Sequence, residues 1–71
     1  MMNIDEILKT IREELNISQE TLALDLNVSF STINRWENSR TKPSRLAVTQ
    51  IKKYCVNKGI SANVISALEQ V

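Results

Sequence analysis

Residues 18–38 read Ser18-Gln19-Glu20-Thr21-Leu22-Ala23-Leu24-Asp25-Leu26-Asn27-Val28-Ser29-Phe30-Ser31-Thr32-Ile33-Asn34-Arg35-Trp36-Glu37-Asn38. Ser18 follows Ile17 and precedes Leu22 by four positions, and Ser29 stands in the same way between Val28 and Ile33. A serine flanked like this starts a helix: its hydroxyl accepts a free backbone N–H while the two apolar residues clamp the entering chain. The helix between the two serines has barely two turns. The link Asn27-Val28-Ser29 is too short to let its neighbours run antiparallel, so they cross steeply. Asn27 suits the sharp turn because asparagine tolerates the left-handed conformation better than other residues with a side chain. Ala23, one turn earlier, is small enough for the second helix to approach, and Leu22, Leu26, Val28, Ile33 and Trp36 supply the apolar seam.

This spacing is that of a helix-turn-helix running from about Ser18 to Asn38. Outward from it, the same start signal recurs at Ile60-Ser61 with Ile65, and Pro43-Ser44 opens a further helix. At the N-terminus, Asn3 with Glu6 three positions later, flanked by Met2 and Ile7, is a capping box with a staple. Ile4, Ile7, Leu8, Ile11 and Leu15 then form one apolar stripe. Gly59, after Asn57 and Lys58, marks the turn before the last helix. The expected helices are near 3–15, 19–26, 30–38, 45–56 and 62–70, with no sustained period-two alternation, so residues 1–71 are read as one all-α domain. Leu46, Ala47, Ile51, Tyr54 and Cys55 are the stripe of the fourth helix, and Ile60, Val64, Ile65, Leu68 and Val71 that of the fifth. Two readings of the fifth stay open: it closes the core, or Val64, Leu68 and Val71 remain partly exposed and form a homodimer face.

At 71 residues the chain is near the lower limit for a core without disulfides or metals. Apolar residues make up 42% and charged residues 24%, a globular composition. Histidine is absent and Cys55 is the single cysteine, which removes the usual general base, the imidazole metal ligands and any Cys-His pair. An enzyme is therefore not expected, and neither is a catalytic residue, a metal site or a cofactor. A lone cysteine fits a reducing cytoplasm. Asn3, Asp5, Glu6 and Lys9 interrupt the N-terminus early, so no signal peptide or membrane span is expected. The net charge of +1 hides a division: residues 1–28 carry Lys9 and Arg12 against six acids, net −4, whereas residues 29–68 carry seven basic residues against Glu37 alone, net +6. Clustered positive charge points to a polyanion on one face, or equally to a solvated helical surface.

Ser18-Gln19-Glu20-Thr21-Leu22-Ala23, Asn27-Val28-Ser29 and Ser31-Thr32-Ile33-Asn34-Arg35-Trp36-Glu37-Asn38 together resemble the Cro/repressor-like (XRE-like) helix-turn-helix family of phage and bacterial regulators. The resemblance covers about Ile4 to Tyr54. It implies a compact five-helix, lambda-repressor-like DNA-binding domain acting in transcription regulation. Asn27 and Ser39 depart from it, since the family commonly has glycine at both places, but both substitutes suit turns. The resemblance also implies that Arg12 and Glu37 form a partly buried ion pair joining the first and third helices; a phosphate contact is the other reading of Arg12. Gln19 resembles the family's residue at the start of the second helix that spans phosphate and base.

With Ile33 and Trp36 turned inward, Phe30, Ser31, Asn34 and Arg35 lie on the opposite face of the third helix and would enter the major groove. Arg35 can give two hydrogen bonds to guanine, Asn34 can pair with adenine, and Phe30 can press on a thymine methyl. Phe30 has a second reading, as core beside Ile33, and Asn34 a second, as plain helix surface. Expected phosphate contacts are Ser18, Asn38, Arg40, Thr41 and Lys42, near helix N-termini and the loop after the third helix, with Ser31 able to join them. Ser18 and Ser31 are also explained by capping and solubility. Arg45, Lys52, Lys53 and Lys58 read as a solvated face. The expected partner is double-stranded DNA, with a homodimer, or a protein partner such as a toxin or sensor, left open. The rival reading is an antitoxin-like interaction module with weak or no DNA binding.

Overall fold

The computed structural model describes residues 2–71 as five helices: α1 (Ile4–Leu15), α2 (Gln19–Leu26), α3 (Phe30–Glu37), α4 (Arg45–Lys58) and α5 (Ala62–Leu68). The caps explain most boundaries. Ser18, Ser29 and Ser44 each accept the backbone N–H three residues on, from Thr21, Thr32 and Ala47. At Asn3 the backbone N–H donates to Glu6 Oε1 at 3.1 Å, the return half of the expected box. Three helices stop on a left-handed residue: Asn16 (φ 55), Asn27 (φ 59) and Gly59 (φ 70).

Two ends differ from expectation. Helix α4 continues through Asn57 and Lys58, because the left-handed stop is Gly59 itself. Helix α5 ends at Leu68 instead of near residue 70. No glycine or asparagine follows to seal it, and the chain slackens into i→i+3 bonds, with the Glu69 and Gln70 N–H groups donating to Ser66 and Ala67 carbonyls at 3.1 Å.

The core gathers Ile7, Leu8 and Ile11 of α1, Leu22 of α2, Ile33 of α3, Ile51 and Cys55 of α4 and Leu68 of α5. Trp36 joins it at 7% exposure. Burying one such leucine or isoleucine is worth about 1.5–3 kcal/mol, so these side chains dominate the stability of so small a domain. Helix α3 packs on both α1 and α2, which holds its inner side rigidly and leaves its outer side free.

Burial overturns one expectation and decides two readings left open. Leu46 is 71% exposed: Ala47, Ile51 and Cys55 form the inward row at i, i+4 and i+8, and Leu46 lies about 100° outside it. Val64 and Leu68 are buried at 2% and 1%, which favours the core-closing reading of the fifth helix, and of the three residues in the alternative dimer face Val71 is open. Phe30 is 48% exposed, and its core reading falls.

Between elements, the Tyr54 hydroxyl of α4 donates to Asp25 Oδ2 of α2 at 2.7 Å, and Lys58 sits 5.8 Å from the centre of the Tyr54 ring. Partial burial, then the bond to Asp25, raises the Tyr54 pKa. Burial pushes the Cys55 thiol up to about 11, which leaves it protonated and unreactive at neutral pH. Ser61, expected to cap α5 with its hydroxyl, instead donates that hydroxyl to Glu14 Oε2 at 2.8 Å and its N–H to Glu14 Oε1 at 3.0 Å. A charged carboxylate from α1 is a better acceptor than anything its own helix offers. Among the described residues no helix is long and apolar enough to cross a membrane.

Candidate nucleic-acid interface

Helix α3 has two sides. Its inner side carries Ile33, Trp36 and Glu37, all buried, and its outer side carries Phe30, Ser31 and Arg35, all exposed. Asn34 lies half-buried at the margin, and Gln19, the first residue of α2, lies half-buried beside it. The tight α2–α3 joint makes this neighbourhood. Val28 N–H donates to the Ala23 carbonyl at 3.0 Å and closes the turn, which brings the start of α2 against the middle of α3.

A buried acid is the anchor of the polar groups here. Glu37 is 2% exposed, and a carboxylate at that depth needs a partner. Arg12 provides it with two bonds of 2.7 Å, Nε to Oε2 and Nη2 to Oε1. The bond to Glu37 raises the Arg12 pKa against the opposing effect of burial. Gln19 Nε2 also donates to Glu37 Oε1, at 3.0 Å. Asn34 Nδ2 donates to Gln19 Oε1 at 3.3 Å, and Asn38 Nδ2 donates to the Asn34 carbonyl at 2.9 Å and to Asn34 Oδ1 at 3.2 Å. One connected chain therefore runs from Arg12 in α1 through Glu37, Gln19 and Asn34 to Asn38.

Beyond α3 the chain turns at Ser39, left-handed at φ 59, with its N–H donating to Trp36 O at 3.3 Å and that of Arg40 to Arg35 O at 2.9 Å. That turn sends Arg40, Thr41 and Lys42 into solvent. Among the described residues the ion pairs are Arg12–Glu37 and Lys52–Glu69, so Arg35, Arg40 and Lys42 carry unmatched charge. Such a set attracts phosphate and can supply bidentate or point-charge contacts.

The expected site residues thus fall into three groups. Gln19, Asn34 and Asn38 are brought into direct contact; Phe30, Ser31 and Arg35 share the exposed side of α3; Arg40, Thr41 and Lys42 occupy the following loop. Ser18 stands apart: its hydroxyl accepts the Thr21 N–H and donates to Thr21 Oγ1, both at 3.1 Å, so it is committed to the cap. Sequence reasoning assigned Gln19 and Glu37 to separate tasks and missed their bond. The available signal was that Glu37, an acceptor with no donor, had capacity left beyond one arginine.

A helix-turn-helix family model of the XRE type matches residues 8–55, from α1 into α4, so the matched stretch contains every residue of this chain of contacts. No curated protein and no solved structure matches the chain.

Proposed function

This chain belongs to the XRE-type helix-turn-helix family of DNA-binding proteins, and on that premise we propose that it is a sequence-specific regulator of transcription that places α3 in the major groove of double-stranded DNA. The observation that carries the proposal is the outer side of α3. Arg35 stands free with no acid beside it, Asn34 and Gln19 are held at its margin, and Arg40 and Lys42 come immediately after it. Arg35 reads guanine, Asn34 reads adenine, Gln19 and Ser31 add contacts at the edge, and exposed Phe30 meets a thymine methyl. Asn38, Arg40, Thr41 and Lys42 hold phosphates, as does the Ser18 end of α2 through its backbone N–H groups. Arg12 and Glu37 are structural and touch no DNA. The protein needs no cofactor, catalyses no reaction and works in the cytoplasm.

The domain is 27 Å in its longest dimension, whereas successive half-sites on one face of DNA lie about 34–36 Å apart. Two copies, each on one half-site, fit a palindromic target better than one. An antitoxin-like module is the second reading, favoured by Leu24 and Leu46, which stand 80% and 71% exposed with no partner in the fold.

Fluorescence anisotropy separates the two. The protein is titrated against random duplex and against duplexes enriched from a random pool, each at low and at physiological salt. The expected result is salt-sensitive binding to both, with enriched sequences bound about a thousandfold or more tightly. No binding to either duplex at low salt overturns the proposal.

A further inference from the structure

We propose that Glu37, although buried and out of reach of DNA, sets the sequence preference of the reading face by fixing which way the amides of Gln19 and Asn34 point. This rests on the DNA-binding reading above and deepens it. A side-chain amide can exchange its oxygen and nitrogen by a half-turn, and with that exchange a donor toward a base becomes an acceptor. A carboxylate has no such freedom, since it only accepts. Glu37 Oε1 faces Gln19 at 3.0 Å, so Gln19 must turn its NH2 inward and its carbonyl oxygen outward. That oxygen accepts from Asn34 Nδ2 at 3.3 Å, which orients Asn34 in turn, and Asn34 Oδ1 accepts from Asn38 Nδ2 at 3.2 Å. The donor-to-acceptor direction is the same at every link, and it originates at the one group that cannot reverse.

Reversing Gln19 would put a carbonyl oxygen against a carboxylate that is 2% exposed, where water cannot screen the repulsion. Arg12 strengthens the lock: its two 2.7 Å bonds, one to each oxygen, fix the plane of the Glu37 carboxylate. The outward groups are then fixed in kind. Gln19 Oε1 keeps a lone pair, which accepts a base amino group. Asn34 keeps an N–H and a lone pair side by side, the arrangement that matches adenine N7 and N6. Bases that present O6 or O4 to the same positions meet an acceptor with an acceptor. Glu37 is accordingly a positioning residue, and its influence is on the ranking of sequences.

The experiment is selection from a random duplex pool, run in parallel with the parent protein, Glu37→Gln and Gln19→Met. Circular dichroism identifies folded variants. Glu37→Gln keeps the shape and can donate to Gln19 Oε1, which frees the amides to reverse. A preference of about tenfold for amino-bearing bases at the positions next to the Arg35 guanine should fall below about threefold, while that guanine is retained. If Glu37→Gln does not fold, Gln19→Met severs the chain and leaves the buried pair in place, and the preference at the Asn34 base should relax in the same way. A folded Glu37→Gln that enriches the parental motif, or binds all sequences more weakly in the parental order, overturns this inference and leaves the DNA-binding reading intact. A folded Gln19→Met with an unchanged preference at the Asn34 base also overturns it. A parent protein that enriches no motif overturns both.

Discussion

The joint between α2 and α3 and the joint between α4 and α5 share one backbone. Each stops a helix on a left-handed residue, Asn27 at φ 59 or Gly59 at φ 70. Each then turns an apolar residue inward, Val28 or Ile60, whose N–H donates five residues back at 3.0 Å, to Ala23 or Cys55. Each places a serine next, and at that serine the two joints diverge. Ser29 keeps its hydroxyl for its own helix, whereas Ser61 gives both its hydroxyl and its N–H to Glu14. Outside, α3 exposes Phe30, Ser31 and Arg35, while α5 exposes Ala62, Asn63 and Ser66, which carry no charge. The steep turn is thus a general way to pack short helices, and what distinguishes the first joint is the charged face that α3 presents.

The strongest way to break the first joint is from inside. Trp36→Ala removes the largest side chain that α3 buries and should cost about 3–5 kcal/mol, a large part of the about 5–15 kcal/mol that holds a domain folded. Urea melts monitored by circular dichroism measure it, and a midpoint close to the parent's would show that α3 is anchored elsewhere. Next in size is a change that leaves the joint alone. Arg35→Ala should cost about 1–3 kcal/mol of affinity for the enriched duplex and relax the preference at one base. Asn63→Ala on α5 should alter neither. Equal losses for Arg35→Ala on enriched and random duplex would mean that Arg35 meets phosphate only.

What could be read from the sequence depended on the range of the interactions. Ser18, Ser29 and Ser44 bond within three residues, and Asn27 turns the chain on its own φ, so their roles are visible in the local pattern. Ser61 carries the same local pattern, yet its hydroxyl goes to a residue 47 positions away, and no window on the chain contains that acceptor. Periodicity placed a stripe on α4 but not its edge, so Leu46 was read as core although its half-buried neighbour Ala47 leads the inward row. The Arg12–Glu37 contact was suggested by likeness to a family and not by spacing. The link from Glu37 to Gln19 and on to Asn34 was missed, because each of those residues has an adequate separate explanation and the spare acceptor capacity of Glu37 does not say which donor fills it.

The serines sharpen the contrast at smaller cost. Ser29→Ala removes the acceptor for the Thr32 N–H and should cost about 1 kcal/mol, whereas Ser61→Ala leaves the N–H bond to Glu14 and should stay within about 0.5 kcal/mol. Glu14 adds a pH signature to the second joint. The Ser61 N–H, then its hydroxyl, lowers the Glu14 pKa below its ordinary 4.5. A carboxylate lowered by folding stabilises above the ordinary value and loses that stabilisation as pH falls through the folded value. Glu14→Gln cannot titrate there. Its melting temperature should lie below the parent's at pH 7, and the gap should narrow once pH drops below 4.5. A gap independent of pH would show that shape, not charge, holds Glu14 to Ser61.

The smallest effect tests whether the two joints are interchangeable at their turning residue. Gly59 has φ +70 and nothing within 4 Å of where a Cβ would stand, so a side chain meets only the intrinsic strain of the left-handed region. Asparagine tolerates that region best among residues with a side chain, as Asn27 does in the first joint. Replacing glycine also removes freedom from the unfolded chain, an opposing gain of about 0.4–1 kcal/mol. Gly59→Asn should therefore change stability by less than about 0.5 kcal/mol, whereas Gly59→Val, β-branched and a true outlier at positive φ, should cost more than about 1 kcal/mol. Urea midpoints for the two variants decide it. A loss above about 1 kcal/mol for Gly59→Asn would mean that the second joint needs glycine for a reason the first does not share. Their likeness would then stop at backbone angles.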